Sequence, residues 1–147
     1  MGDCTNMADY YNLIMTSGYY DDDAIVENIL YFYQGGNILE IGCGMGLILE
    51  KLINKKSDKV TRIDMTQSML DIADESLNNF DNVLLLNQNV VTLSLEDQYN
   101  IAFSYGGAWY FVRDNQNIFL ISHITSDTDN QKGIEQLFRH MTTGGKL

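Results

Sequence analysis

The segment NILEIGCGMGLILEKL, residues 37–52, holds the groups of this chain best suited to chemistry. Gly42, Gly44 and Gly46 alternate with Cys43 and Met45, and Glu40 stands two residues before the first glycine, so the run reads E-x-G-x-G-x-G. Glycines at a turn permit unusual dihedrals and let a ligand approach the main chain with no Cβ in the way. A helix that follows at once presents unpaired amides, which favour a carboxylate or a phosphate. About twenty residues downstream, Asp64 closes a β-branched run, where a carboxylate can accept hydrogen bonds from both hydroxyls of a ribose. A glycine loop and a strand-end acid together describe a nucleoside pocket. The dinucleotide fingerprint G-x-G-x-x-G would need glycine where this chain has Leu47, which argues against a nicotinamide enzyme. No G-x-x-x-x-G-K-[ST] segment is present, so a nucleotide triphosphate loop is excluded.

These residues need elements that bring them to one edge. NILEIG reads as a strand and LILEKLINK as a helix. KVTRID is a second strand, and Thr66 is the expected cap of QSMLDIADESL, in which Met69, Leu70, Ala73 and Leu77 recur at helical spacing. NVLLLNQ and YNIAFSY are short apolar runs of strand length, the pattern of strands covered by helices on both faces. Upstream, Asp21 to Asp23 are placed to cap a helix through AIVENILYFY, with Ile25, Ile29, Leu30 and Tyr33 on one side and Gly35 and Gly36 as its stop. Near the end, NQKGIEQLFRHM sets Ile134, Leu137, Phe138 and Met141 at i, i+3, i+4 and i+7, which predicts a helix with those four buried.

Strands alternating with helices join as right-handed βαβ units into a parallel sheet. The fold class is therefore α/β, a doubly wound, mostly parallel, Rossmann-like sheet. The segment 109–124, WYFVRDNQNIFLISHI, breaks the rhythm: two β-branched and aromatic runs flank a four-residue polar turn, which predicts a hairpin inserted after the fourth strand.

A chain of 147 residues that is 45% hydrophobic is long enough for one real core. Its formal net charge of −11 repels phosphate backbones and anionic lipid heads, so neither nucleic acid nor a membrane is an expected partner. KLINKKSDK is the one basic stretch, and it reads as the solvated end of a helix. Cys4 and Cys43 are too few for a disulfide framework and lack zinc-site spacing, so no metal is implied. The N-terminal MGDCTNMADYYN lacks the pattern of a signal peptide, and no apolar run approaches the ~20 residues of a membrane span. A reducing cytoplasm is the expected setting.

ILEIGCGMG, VTRIDMTQSMLDIA, NQNV and IAFSYGGAW, in this order, resemble the successive motifs of class I S-adenosylmethionine-dependent methyltransferases of the small-molecule type. The resemblance extends over nearly the whole chain. It implies S-adenosylmethionine as cofactor, S-adenosylhomocysteine as product, and a small-molecule N, O or C nucleophile as methyl acceptor. Gly42, Cys43, Gly44 and Gly46 would meet the methionine and ribose portions, with Glu40 organising their loop. Asp64 would hold the ribose hydroxyls, Met65 would lie against the adenine face, and Met69 would close its other side. Asn89 and Val90 stand where the family has an acid and a small apolar residue against the adenine. Ser104 and Tyr105 would supply main-chain contacts near the sulfonium. DYYNLIM is similar to the N-terminal segment that folds over the cofactor in many such enzymes, which puts Tyr11 and Tyr19 near the methionine end. Residues 1–36 would then be a lid segment with its helix, and 37–147 the cofactor-binding core.

Some positions depart from the family's pattern. Asn89 replaces the usual acid, and Asn100 replaces an acid at the start of the fourth strand. An amide still accepts a hydrogen bond but lacks the charge that makes such bonds about twice as strong. TTGGKL resembles the turn before the fifth strand of a seven-stranded sheet, and the expectation is a domain lacking its last third. An apolar strand left at an edge is a template for pairing, so a homo-oligomer, a homodimer in the simplest case, or a complementing chain is expected. No acid or base is forced by these motifs; His123 and Tyr110 are the candidates, and Trp109 with Tyr110 either lines an acceptor pocket or packs the hairpin. His140 reads as a structural residue in the last turn of its helix, where a cation suits the dipole. A non-catalytic module that binds the same nucleoside and acts through another chain is the alternative.

Overall fold

The computed structural model describes residues 10, 13–14, 16–18, 21–42, 47–53, 59–105, 108–114 and 116–147. Helix α1 (Asp22–Phe32) leads into β1 (Ile38–Ile41), α2 (Leu47–Ile53), β2 (Val60–Asp64), α3 (Gln67–Leu77) and β3 (Val83–Asn87). A single 3-10 turn (Val90–Thr92), β4 (Tyr99–Phe103), β5 (Trp109–Asp114), β6 (Asn117–Ser122), α4 (Asp127–His140) and β7 (Met141–Lys146) follow. The main sheet has the order β3-β2-β1-β4-β7, and all four of its pairings are parallel. β5 and β6 form a separate antiparallel ribbon in which Asp114 faces Asn117, so the connection is shorter than the four polar residues suggest.

Alternation of side chains along the strands splits the core in two. On one face Ile38, Val60 and Ile101 pack with Val26 and Ile29 of α1, Leu49 and Leu52 of α2, and Ala73 and Leu77 of α3. On the other, Leu39, Ile41, Ile63 and Ala102 pack with Val90, Leu93, Trp109 and Leu137. Tyr99 lies in the second cluster although strict alternation would place it with Ile101. The register of β4 against β7 shifts between those two residues, which turns Tyr99 over, and its hydroxyl meets Thr61 Oγ1 at 2.9 Å.

Local chemistry sets the ends of the elements. Asp21 caps α1 by accepting from the Ala24 N–H, and Asp22 and Asp23 sit in the first turn, where the helix dipole favours acids. Thr66 occupies the N-cap position of α3, but its side chain makes no capping bond. In α4 the buried residues are Gly133 and Leu137, whereas Phe138 is 66% exposed and Met141 lies beyond the helix in β7. Of the four positions in the predicted stripe, Leu137 is buried and Ile134 and Met141 are partly buried against the same core cluster, while Phe138 faces outward.

His140 has the structural role expected of it. Its Nε2 accepts from the Leu95 N–H at 3.0 Å, and its Nδ1 lies 2.6 Å from the Gln136 carbonyl, so the imidazole bridges α4 to the segment before β4.

MTTGGK does more than introduce a strand, since it pairs with β4 as the fifth strand of the sheet. Tyr99 faces Met141 while Ile101 faces Lys146, so β7 spends extra residues in a bulge that holds Gly144 at φ +83°. β4 is consequently interior, and the apolar edge expected there is replaced by the polar, glycine-bearing β7.

Asn100 works at the end of the sheet opposite the carboxyl ends of the strands. Its Oδ1 accepts from the Asn37 N–H at 3.0 Å and its own N–H donates to the Asn37 carbonyl, tying β1 to β4 where both begin. Gly36, at φ +92°, leaves the room: a Cβ there would lie 1.9 Å from Asn100 Oδ1. Gly36→Ala is expected to destabilise the chain by about 2 kcal/mol, from an unfavourable φ and one displaced hydrogen bond, read as a lowered urea midpoint with unchanged slope.

Candidate functional site

The parallel pairing of β1 on β2 ends with Ile41 opposite Ile63, and the Gly42 N–H donates to the Ile63 carbonyl at 2.9 Å. The first glycine of the loop therefore stands beside the residue that precedes Asp64. Gly42 has φ +70°, a conformation that glycine adopts without the Cβ penalty, and the chain turns there away from the sheet. Asp64 is partly exposed at the rim, and its Oδ1 accepts from the Thr66 N–H at 2.8 Å. That bond spans two residues and fixes the carboxylate against its own backbone. Met65 next to it is 50% exposed, an apolar surface beside an acid at the mouth of the cleft.

Beneath the rim lies a charged pair that the sequence reading passed over. Arg62 Nε donates to Glu40 Oε2 at 2.6 Å, and the two side chains are 0% and 4% exposed. Glu40 and Arg62 are register partners, each two residues before the rim residue of its own strand. Burial pushes the Glu40 carboxyl above its usual range; the Arg62 charge and hydrogen bond pull it back down, and Asp64 adds a smaller upward push. The signal in the sequence was one charged residue inside VTRID, a run otherwise fit for a buried strand.

The next strand ends supply a different kind of contact. Asn89 Oδ1 accepts from the Val91 N–H at 2.9 Å and so caps the 3-10 turn after β3. Val90 is buried in the second core cluster, toward α4. Ser104 follows β4, and its Oγ accepts from the Trp109 N–H at 3.4 Å; Tyr105 packs against the first core cluster. Met69 is buried on the inner side of α3 with Leu70, Ala73 and Leu77. The structure thus gathers Glu40, Gly42, Asp64 and Met65 at the carboxyl ends of β1 and β2, while the side chains of Met69 and Val90 are spent on packing. Tyr11, Tyr19, Cys43, Gly44 and Gly46 lie outside the described residues.

The ribbon of β5 and β6 leaves the sheet after β4 and is anchored at its base. Asn130 on α4 uses its full hydrogen-bonding capacity there. Its Oδ1 accepts from Trp109 Nε1 at 2.8 Å and Ser122 Oγ at 2.6 Å, and its Nδ2 donates to the carbonyls of Ile124 and Ser126 at 2.8 and 3.1 Å. Gly133, one turn along, allows the indole to lie on the helix: a Cβ there would meet Trp109 ring carbons at 3.0 Å. Of the two roles open to Trp109, the structure shows packing. His123 is exposed just past the ribbon, where its N–H donates to the Ala108 carbonyl. Tyr110 lies on β5, and its side chain is outside the described set.

The chain matches the model of a family described as methyltransferase domain over residues 38–145. It is 28% identical over 94 residues to malonyl-[acyl-carrier protein] O-methyltransferase 1 of Ilyobacter polytropus, a match covering 63% of this chain and 34% of that protein. It is 34% identical over 71 residues to ribosomal RNA small subunit methyltransferase A of Bacillus cytotoxicus, covering 48% of this chain and 24% of that one. Among solved structures, a putative S-adenosyl-L-methionine-dependent methyltransferase from Methanococcus maripaludis superposes with a TM-score of 0.72 at 21% identity, covering 96% of this chain and 60% of that one. These matches span a third or less of the length of the two curated relatives and about 60% of the solved chain.

Asn130→Ala would strand the indole N–H and the Ile124 carbonyl at a partly buried junction, while the Ser126 carbonyl keeps the backbone N–H of residue 130, at a cost of about 2 kcal/mol. Trp109 is the single tryptophan of the chain. Its emission is expected to shift to the red in this variant before global unfolding, and an unchanged spectrum would show that the amide does not hold the ribbon.

Proposed function

The chain belongs to the methyltransferase domain family, and on that premise we propose that it binds S-adenosylmethionine across the ends of β1 and β2 and directs its methyl group to a small-molecule N, O or C nucleophile. The observation that carries this reading is the bond from Gly42 to Ile63, which sets the start of the glycine loop beside Asp64. The residues present fit the ligand. A glycine at φ +70° leaves the main chain open to close approach, an acceptor-only carboxylate at the rim suits two vicinal hydroxyls, and half-exposed Met65 offers an apolar face for a base.

When bound, the cofactor supplies an electrophilic methyl group on a sulfonium. The work of the chain is to hold that ligand in one pose and to keep water from it; alignment and exclusion of water lower the barrier without a dedicated acid or base. Asp64, fixed by the Thr66 N–H, has little rotameric freedom to lose on binding. Asn89 keeps one lone pair of its amide oxygen beyond the bond from Val91, so it can orient an adenine amino group without bringing charge. Ser104 and Tyr105 would face the reacting end through their main chain, with the lid tyrosines Tyr11 and Tyr19 closing over it.

A small acceptor is favoured over RNA because a chain at −11 repels a phosphate backbone. Among the described residues no helix is long and apolar enough to cross a membrane, and the cysteine content suits a reducing cytoplasm.

Calorimetry is expected to show binding of S-adenosylmethionine and S-adenosylhomocysteine and none of NAD. Asp64→Ala should weaken that binding by about 2–3 kcal/mol, on the order of a hundredfold, through loss of charge-assisted bonds to the sugar. Affinity unchanged in this variant would overturn the site, and tight binding with no transfer of tritiated methyl to any acceptor would favour the non-catalytic module.

A further inference from the structure

We propose that Arg62 is a positioning residue for the nucleoside cleft: buried on β2 and bonded to Glu40 on β1, its guanidinium holds the Glu40 carboxylate beneath Gly42, two residues before Asp64 at the rim. The inference rests on the reading of the cleft as an S-adenosylmethionine site.

A guanidinium in a central parallel strand is costly to desolvate, and an apolar residue of similar size would fill the position with a smaller penalty. Every neighbour of Arg62 along β2 from Val60 to Ile63 is buried, so no water replaces what burial removes. Its placement explains the arrangement. Side chains two apart on a strand share a face, so Glu40 lies beneath Gly42 and Arg62 beneath Asp64 on the same side of the sheet. Two acids converge on adjoining strand ends, close enough for Asp64 to act on Glu40. Burial and, to a smaller extent, Asp64 disfavour the charged form of Glu40, and the Arg62 charge and hydrogen bond oppose them.

The charged groups that act on Glu40 are Arg62 and Asp64, both on β2. The buried residues of this face are apolar: α1 contributes Val26 and Ile29, α2 contributes Ile48, Leu49 and Leu52, and α3 contributes Ala73 and Leu77; Phe103 is the partner of Glu40 on β4, and the titratable groups packed against the cluster are Tyr33 and Tyr105. Arg62 therefore supplies the one positive charge that acts on Glu40 among the described residues. By binding Glu40 through Nε, it also keeps the end of β1, and with it the backbone entering Gly42, at a fixed height against β2.

The test is calorimetric titration with S-adenosylhomocysteine as a function of pH. With Arg62→Met, Glu40 faces Asp64 unscreened in an apolar setting, so its protonation moves to higher pH. The pH midpoint at which affinity is gained is expected to rise by at least about one unit relative to the unmodified chain. Arg62→Lys retains the charge and should keep the unmodified midpoint. Glu40→Gln with Arg62→Met removes both charges, should fold, and should bind about tenfold more weakly with that pH dependence gone.

An unmoved midpoint in Arg62→Met, or a shifted curve that persists in the double variant, overturns the proposal. Should Arg62→Met not fold, the double variant decides, and affinity equal to that of the unmodified chain overturns it. Failure of the unmodified chain to bind S-adenosylhomocysteine at all is a different result, which removes the reading of the cleft and with it the inference that rests on that reading.

Discussion

The in-register parallel pairing of β1 with β2 is the constraint on which the rest of this molecule depends. Since Ile41 faces Ile63, the two strands end at one height, and a backbone bond from Gly42 to the Ile63 carbonyl joins the loop of one to the residue that precedes the terminal acid of the other. A slip of one residue would turn every side chain of β1 to the opposite face. Glu40 would then be driven into the cluster of Leu39 and Ile41, away from Arg62. Burial of all four residues of β1 makes such a slip very costly, so the packing that stabilises the sheet also aligns the site.

Polar groups inside the molecule are used as joints. Asn100 ties β1 to β4 at their start, His140 ties α4 to the approach of β4, and Asn130 ties the ribbon to α4. Each joins elements that apolar contact alone would let slide, because dispersion and burial are non-directional while a hydrogen bond with both partners fixed is not. Arg62 and Glu40 do the same between the two strands that carry the cleft, with the added consequence of charge.

The ribbon of β5 and β6 follows β4 and stands apart from the main sheet. A two-stranded hairpin is marginal in isolation, and Ile118, Phe119, Leu120 and Ile121 remain exposed on its two faces. Its order comes from the base, where Trp109 is seated on α4 over Gly133. The family match runs over residues 38–145, so the ribbon lies within the matched region.

Hydrophobic period, glycine placement and the acid at the end of VTRID were enough to read the α/β class, the strand and helix order through β4, and the pairing of a glycine loop with Asp64. Those features are local, and each residue type signals them through its own backbone preference or its own side-chain chemistry. Partnership across the sheet was not legible. Arg62 looks like an ordinary strand charge until the register sets it against Glu40, the bond from the Val91 N–H to Asn89 shows only in the folded chain, and His140 gives no sign in the sequence that its partner is Leu95. MTTGGK looks like a turn because its glycines dominate the pattern, yet β4 offers it a row of backbone groups to pair with. Composition and spacing determined which elements form and where the cleft must open. The tertiary structure alone decided which polar groups spend their bonds on the fold, because that depends on distances between segments tens of residues apart along the chain.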